Sequence, residues 1–302
     1  MKTKTSSTSQ TADPEAFLLA HPPTSLWRDA MRRLARNRMA VMGGVVVLIL
    51  IVTALSAPLL APYDPVKQDY NAVLSPPSRE HLMGTDGLGR DVLSRLIFGA
   101  RTSMTVGVFT QLVILAIGLT IGATAGLAGG RTDNLLMRFT DIMYAFPDLL
   151  LIILLRSIFG GSVVMVFIAI GLAGWVTIAR LVRGQILSLK ERDYVEAARS
   201  MGASQMRILR HHLLPNALGP VIVALTFGIP TAIFAEAALS YIGVGISPPT
   251  PSWGSMIQDG FQAIFAFPYL VLSPGVAIAV TMMSFTFLGD GLRDALDPRM
   301  RR

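Results

Sequence analysis

The chain has 302 residues, of which 52% are hydrophobic and 15% charged, against roughly 25% charged in soluble domains. Together with a mean hydropathy of +0.55 and long charge-free runs, this excludes an ordinary soluble enzyme. The formal charge of +7 would suit nucleic acid, but the cations crowd short segments beside apolar runs, where they set membrane orientation. With no Cys, disulfides, thiolate metal sites and Cys nucleophiles are excluded as well.

Residues 1–38 read as a tail, rich in Ser and Thr at first, that leads into a basic amphipathic segment. Residues 39–61 hold the first charge-free run long enough to cross a bilayer, which takes about 20 apolar residues as a helix. This run is too long, and starts too late, for a cleaved leader. Residues 62–101 form a loop on the far side, closing with an interfacial helix over 91–101. The remaining spans fall within a core at 102–293. They are predicted at 102–130, at 135–155 (interrupted by Asp141, Pro147 and Asp148), at 163–182, at 213–235 running on to about 246, and at 270–288. Residues 294–302 are a short tail. The fold class is therefore an all-α polytopic membrane protein with six transmembrane helices and both termini on one side.

The cations choose the side. Twenty of the 26 Lys and Arg lie before the first span, between the second and third, over 180–210, or in the C-terminal tail. Five lie in the loop before residue 102, and Arg156 stands near a span end. Both termini are thus expected in the cytoplasm.

Several chemistries are missing. No G-x-x-x-x-G-K-[ST] phosphate loop occurs, because none of the four Lys follows a Gly. No H-E-x-x-H or G-x-S-x-G is present, and adjacent His211 and His212 point in different directions on a helix. The chain is read as no enzyme: it has no catalytic residues, no metal site and no ATP site of its own.

The informative segment is residues 190–217, KERDYVEAARSMGASQMRILRHHLLPNA, far longer than a connection needs. It reads as helix, glycine turn, helix. Glu191, Asp193 and Glu196 favour a helix start; Gly202 permits the turn; Pro215 begins the next span. Val195, Ala198, Met201, Met206, Leu209 and Leu213 form apolar stripes. The stripe either docks in a partner's groove or packs on this chain's own helices.

Glu196-Ala197-Ala198, three residues, Gly202, and then Leu214-Pro215 resemble the EAA loop of ATP-binding-cassette (ABC) importer permeases, E-A-A-x3-G-x9-I-x-L-P. His212 stands where the general pattern has Ile, as in the peptide-importer version. Four further segments resemble the second permease of dipeptide, oligopeptide and glutathione importers: HLMGTDGLGRDVLSRLIFGARTSM from His81, GGRTDNLLMRFTDIMYAFPDLLLI from Gly129, EAALSYIGVGISPPTPSWGS from Glu236 and LGDGLRDALDPR from Leu288. Nickel importers share parts of the pattern.

The resemblance implies a type I importer permease fold in a bacterial or archaeal plasma membrane. Its partners would be a homologous permease, two ATPase subunits that hold ATP and Mg²⁺, an extracytoplasmic binding protein and membrane lipid, with no nucleic acid. Coupling to the ATPases is expected at Glu196, Ala197, Ala198, Gly202, Met206 and Pro215. Asp86, Arg90 and Asp91 are read either as turn-forming ion pairs or as a contact for the binding protein. Asp148 is a candidate for the path or outer gate, Glu236 is read either as packing at the subunit interface or as lining the outer gate, and Trp253 is a candidate interfacial anchor. Asp290, Arg293, Asp294 and Asp297 read as a solvated polar cap. The rival reading is an ion-coupled carrier using Asp141, Asp148 or Glu236, since acids inside membranes are functional suspects.

Overall fold

The computed structural model of the chain describes residues 26–296. The N-terminal tail through residue 25, Asp297 and the remaining C-terminal residues lie outside this range. Helix α1 (Leu26–Arg36) and α2 (Arg38–Leu55) are separated at Asn37, whose side-chain oxygen accepts from the N–H groups of Met39 and Ala40 at 3.1 and 3.2 Å. That is an N-cap, satisfying donors with no partner inside the helix. A short α3 (Ala57–Leu60) follows.

Helix α4 (Val92–Ala128) has 37 residues, and the side chain of Asp91 caps it by accepting from the Ser94 N–H. At about 1.5 Å per residue it is roughly 55 Å long, well over the ~30 Å hydrocarbon thickness. The separate interfacial helix expected at 91–101 is therefore the first three turns of the span. Nothing between Ser94 and Thr102 breaks it, and Gly99 serves another purpose: a Cβ there would stand 2.9 Å from the indole of Trp253.

The third apolar run is broken in two, α5 (Gly130–Ala145) and α6 (Asp148–Phe159), with an 86° bend between them. Pro147 is the cause, since it drives the preceding residue out of helical geometry; Phe146 sits at φ −81°, ψ 132°. Helix α7 (Val163–Lys190) follows.

Contacts between α4 and α7 run in register: Thr110 meets Phe167, Gly118 meets Ile178, Gly122 meets Ala179 and Val182, and Gly126 meets Ile186. Residue numbers rise together, so the two helices are parallel. The chain between them must therefore return across the bilayer, and α5 with α6 makes that one crossing.

The remaining elements are α8 (Asp193–Ser200), α9 (Gln205–Ile208), a wide turn over Leu209–Leu213, α10 (Leu214–Tyr241), α11 (Trp253–Phe261) and α12 (Tyr269–Leu296). In the wide turn the Leu214 N–H reaches the Leu209 carbonyl, one residue further back than in an α-helix. Pro215, with no N–H to give, follows at once. Helix α12 lies antiparallel on α2, with Gly291 against Ala40 and Gly43 against Ser284, so both described ends of the chain share one level. Among the described residues, five helices are long and apolar enough to cross a membrane, and the bent pair makes a sixth crossing.

Candidate functional site

At the level of the termini, α8 and α9 form a platform. Val195 and Ala198 turn inward and share a buried core with Ile208, Leu209 and Leu213, packed on Ala123, Val182 and Ile186 of the spans. The predicted stripe therefore divides. Four of its members pack on this chain's own helices, because a short helix lying on a bundle must bury one face. Met201, 82% exposed, and Met206, 50% exposed, remain outside with Glu196, Ala197 and Gly202. Ala198 thus leaves the set of outward-facing coupling residues, while Pro215 lies exposed at the platform's exit.

Gly202 ends α8 at φ +81°. The Ala203 N–H donates to the Ala198 carbonyl and the Gly202 N–H to the Arg199 carbonyl, both at 3.0 Å. This is a Schellman turn, which closes helix ends through a left-handed residue. At the other end Lys190 Nζ donates to the carbonyls of Gly126 and Leu127, at 3.1 and 2.9 Å, capping α4. The end of α7 that leads into α8 is thereby tied to the end of α4.

Behind the platform α5 is tied to α7. The Arg183 guanidinium makes two bonds to Asp133, at 2.5 and 2.7 Å, and Arg180 bonds Asp141 at 2.7 Å while lying 4.5 Å above the Tyr144 ring. Asp141 therefore has a fixed cation beside it, unlike a free ion-coupling acid.

Between α4, α6, α7 and α10 opens a cavity of about 520 Å³, lined among others by Thr110, Gln111, Asp148, Thr177, Gly228 and Thr231. Asp148 faces this space, but Glu236 does not. Fully buried, Glu236 accepts from Ser240 Oγ at 2.7 Å and Ser103 Oγ at 3.5 Å, and Ser103 Oγ in turn accepts from the Trp253 N–H at 3.3 Å. It joins α4, α10 and the start of α11. Of its two readings this enclosure supports packing, since a carboxylate in hydrocarbon needs protein donors around it.

At the far end Asp86, Arg90 and Asp91 are 5, 7 and 3% exposed, too buried to meet another protein. Arg90 bonds Asp86 and Asp259 at 2.7 Å each, Arg95 bonds Asp259 at 2.8 Å, and His81 meets Asp91 at 2.9 Å. The contact reading gives way to the ion-pair reading. Trp253, 1% exposed, is a core residue bonded to the Leu96 carbonyl and not an interfacial anchor.

Sequence reasoning passed over Arg95 and Asp259, Gln111, and the glycines at 118, 122 and 126. The glycine spacing was a readable signal, since small residues four apart let membrane helices approach closely. Nothing in the sequence marked Asp259 as the partner of arginines more than 160 positions away.

Comparison with known proteins bears on both ends of the chain. Residues 118–302 match the family described as binding-protein-dependent transport system inner membrane component, and residues 25–77 match the N-terminal TM domain of oligopeptide transport permease C. The chain is 43% identical to the oligopeptide transport system permease protein OppC of Bacillus subtilis, over 95% of this chain and 94% of that one. It is 43% identical to the dipeptide transport system permease protein DppC of the same organism, over 97% and 92%. With the glutathione transport system permease protein GsiD of Pectobacterium atrosepticum it shares 41% over 91% and 92%. A chain of the MetNI methionine ABC transporter, solved in inward-facing form, has a similar fold, with TM-score 0.55 and 21% identity over 68% of this chain and 97% of that one. The chain belongs to the binding-protein-dependent ABC importer permeases, in their oligopeptide and dipeptide branch.

Proposed function

We propose that this chain forms one half of the translocation path of an ATP-driven peptide importer in the bacterial inner membrane, pairing with a homologous permease. Two ATPase subunits, holding ATP and Mg²⁺, act on the platform of α8 and α9 from the cytoplasm, and an extracytoplasmic protein delivers the substrate. The observation that carries this reading is the platform itself: a polar face with two exposed methionines, fastened to α4 by Lys190 and to the spans by a buried core. An ion-coupled carrier needs no such surface. Of its three suspect acids, Asp141 is paired and Glu236 is enclosed by serines. The names of the OppC, DppC and GsiD relatives support peptides as the substrate class.

Closing of the ATPase pair would draw the platforms of the two permeases together, and the cavity between the spans would change the side it opens to. Uptake of labelled peptide into vesicles holding the complete complex is expected to require both ATP and the delivering protein. Uptake driven by an ion gradient without ATP would refute the assignment.

Orientation has its own test, made clean by the absence of Cys. Cys in place of exposed Arg79 is expected to react with an impermeant thiol reagent in intact cells, and Cys in place of exposed Ser200 only after permeabilisation. Labelling of the Ser200 variant from outside would reverse the topology.

A further inference from the structure

Three polar side chains lining the 520 Å³ cavity have no hydrogen-bond or ion-pair partner within the described chain: Gln111, Asp148 and Thr177. The other hydroxyls there are satisfied, Thr110 by the Phe167 carbonyl at 3.4 Å and Thr231 by the Phe227 carbonyl at 3.0 Å. Gln111 is the most informative of the three. It is only 7% exposed, and because its amide atoms are not among the buried unpartnered ones, the part left accessible is the carboxamide that lines the cavity. Gly228 makes room for it: a Cβ at that position would stand 2.2 Å from Oε1, 2.6 Å from Cδ and 2.9 Å from Nε2. The amide is thus held across a bare stretch of α10 with its donors and acceptors unused.

Asp148 stands at similar depth. It shares the cavity wall with Thr177, which lies 13 residues from the Lys190 end of the 28-residue α7, about 20 Å along the helix. An acid near the middle of a membrane without a fixed cation is costly, and no Lys, Arg or His lines this cavity. The rest of the wall is apolar and tolerant, with Ile114, Ile152 and Phe227. The volume falls within the roughly 300–1,000 Å³ typical of small-ligand sites.

We propose that Gln111, seated on Gly228, and Asp148 recognise the amino-terminal end of a peptide in transit. The Asp148 carboxylate takes the ammonium group. The Gln111 carboxamide, donor and acceptor at once, pairs with the N–H and C=O of a peptide group. Side chains meet only apolar wall, so sequence is read weakly and the shared backbone end strongly. This deepens the peptide-import reading and rests on it.

The test uses the whole complex in vesicles, with one short peptide carrying a free amino terminus and its N-acetylated form. The delivering protein is the same in every preparation, so its own preference cancels when each variant is divided by wild type. Asp148→Asn is expected to lower uptake of the free-amine peptide about ten-fold, the scale of a lost hydrogen bond to a charged group, and to leave the acetylated form nearly unchanged. Asp148→Glu restores the preference, which a merely structural role at the start of α6 would not predict. Gln111→Leu is expected to slow both forms alike. If wild type imports peptides and Asp148→Asn keeps the wild-type ratio between the two forms, this inference falls and the importer stands. If wild type imports no peptide, both fall together.

Discussion

Gly122→Val is expected to prevent the chain from accumulating as a folded species in the membrane. A Cβ at Gly122 would stand 2.4 Å from the Ala179 carbonyl oxygen and 2.8 Å from the Val182 Cβ. The nearer atom belongs to the backbone of α7, so no rotamer change relieves the overlap and the helices must separate. Gly118 and Gly126 face the same helix one turn away on either side, where an added Cβ would stand 2.8 and 2.9 Å from Ile178 and Ile186. Opening the contact at its centre therefore loosens both flanks. The penalty belongs at or above the upper end of overpacking, about 3 kcal/mol. Gly184→Ala supplies the control, because no atom lies within 4 Å of its would-be Cβ. There the better helix propensity of Ala, up to about 1 kcal/mol, should hold stability level or raise it. The amount of folded chain recovered from the membrane, with the thermal aggregation midpoint of whatever is purified, distinguishes the two. Equal midpoints for both variants would show that α4 and α7 are not packed as described.

The double substitution Gly202→Val with Glu196→Lys is expected to leave membrane insertion intact and to cut ATP-driven uptake by about ten-fold or more. Space is no obstacle at Gly202, which has nothing within 4 Å, so the effect is conformational. A left-handed φ of +81° is strongly unfavourable for a β-branched residue; the penalty for an ordinary L-residue is about 1–2 kcal/mol. Relaxing it breaks the two closing bonds of the Schellman turn and moves exposed Met201 and Met206. Lys at exposed position 196 reverses a charge on the same face. ATP hydrolysis and peptide uptake, measured on the same vesicles, should separate: hydrolysis either falls with lost association or persists without transport. Normal, tightly coupled uptake by the double variant would remove the platform from the coupling mechanism.

The apolar runs were legible because a bilayer-crossing helix is written locally, as about 20 residues without charge. The break at Pro147 was legible for the same reason, since proline acts on its immediate neighbours. Which face of a helix meets which neighbour is not local information. Val195 and Met201 look equally apolar in sequence, yet one is buried and the other 82% exposed, because α7 and α10 approach from one side only. Sequence alone leaves Glu236 between packing and the outer gate until Ser103 and Ser240 are brought to it from two helices. Asp86 and Arg90 stay open between local ion pairs and a contact for the binding protein until Asp259 is brought to Arg90 from a distant helix. Motif spacing picked out the segment proposed to meet the ATPases, and the packing decided which of its side chains face outward.

The parallel pairing of α4 with α7 also orders events during synthesis. Antiparallel neighbours can pack as soon as the second one enters the bilayer, but a parallel pair must wait until the chain has gone back and returned. Until the segment through Ile186 has been inserted, the bare ridge of Gly118, Gly122 and Gly126 faces lipid. Nor can the carbonyls at the end of α4 receive Lys190 before then. The last residues to lock this contact, Ile186 and Lys190, stand directly before α8. The α4–α7 pair therefore closes only once the chain has been made as far as the start of α8, so the platform follows directly on spans that can already be joined.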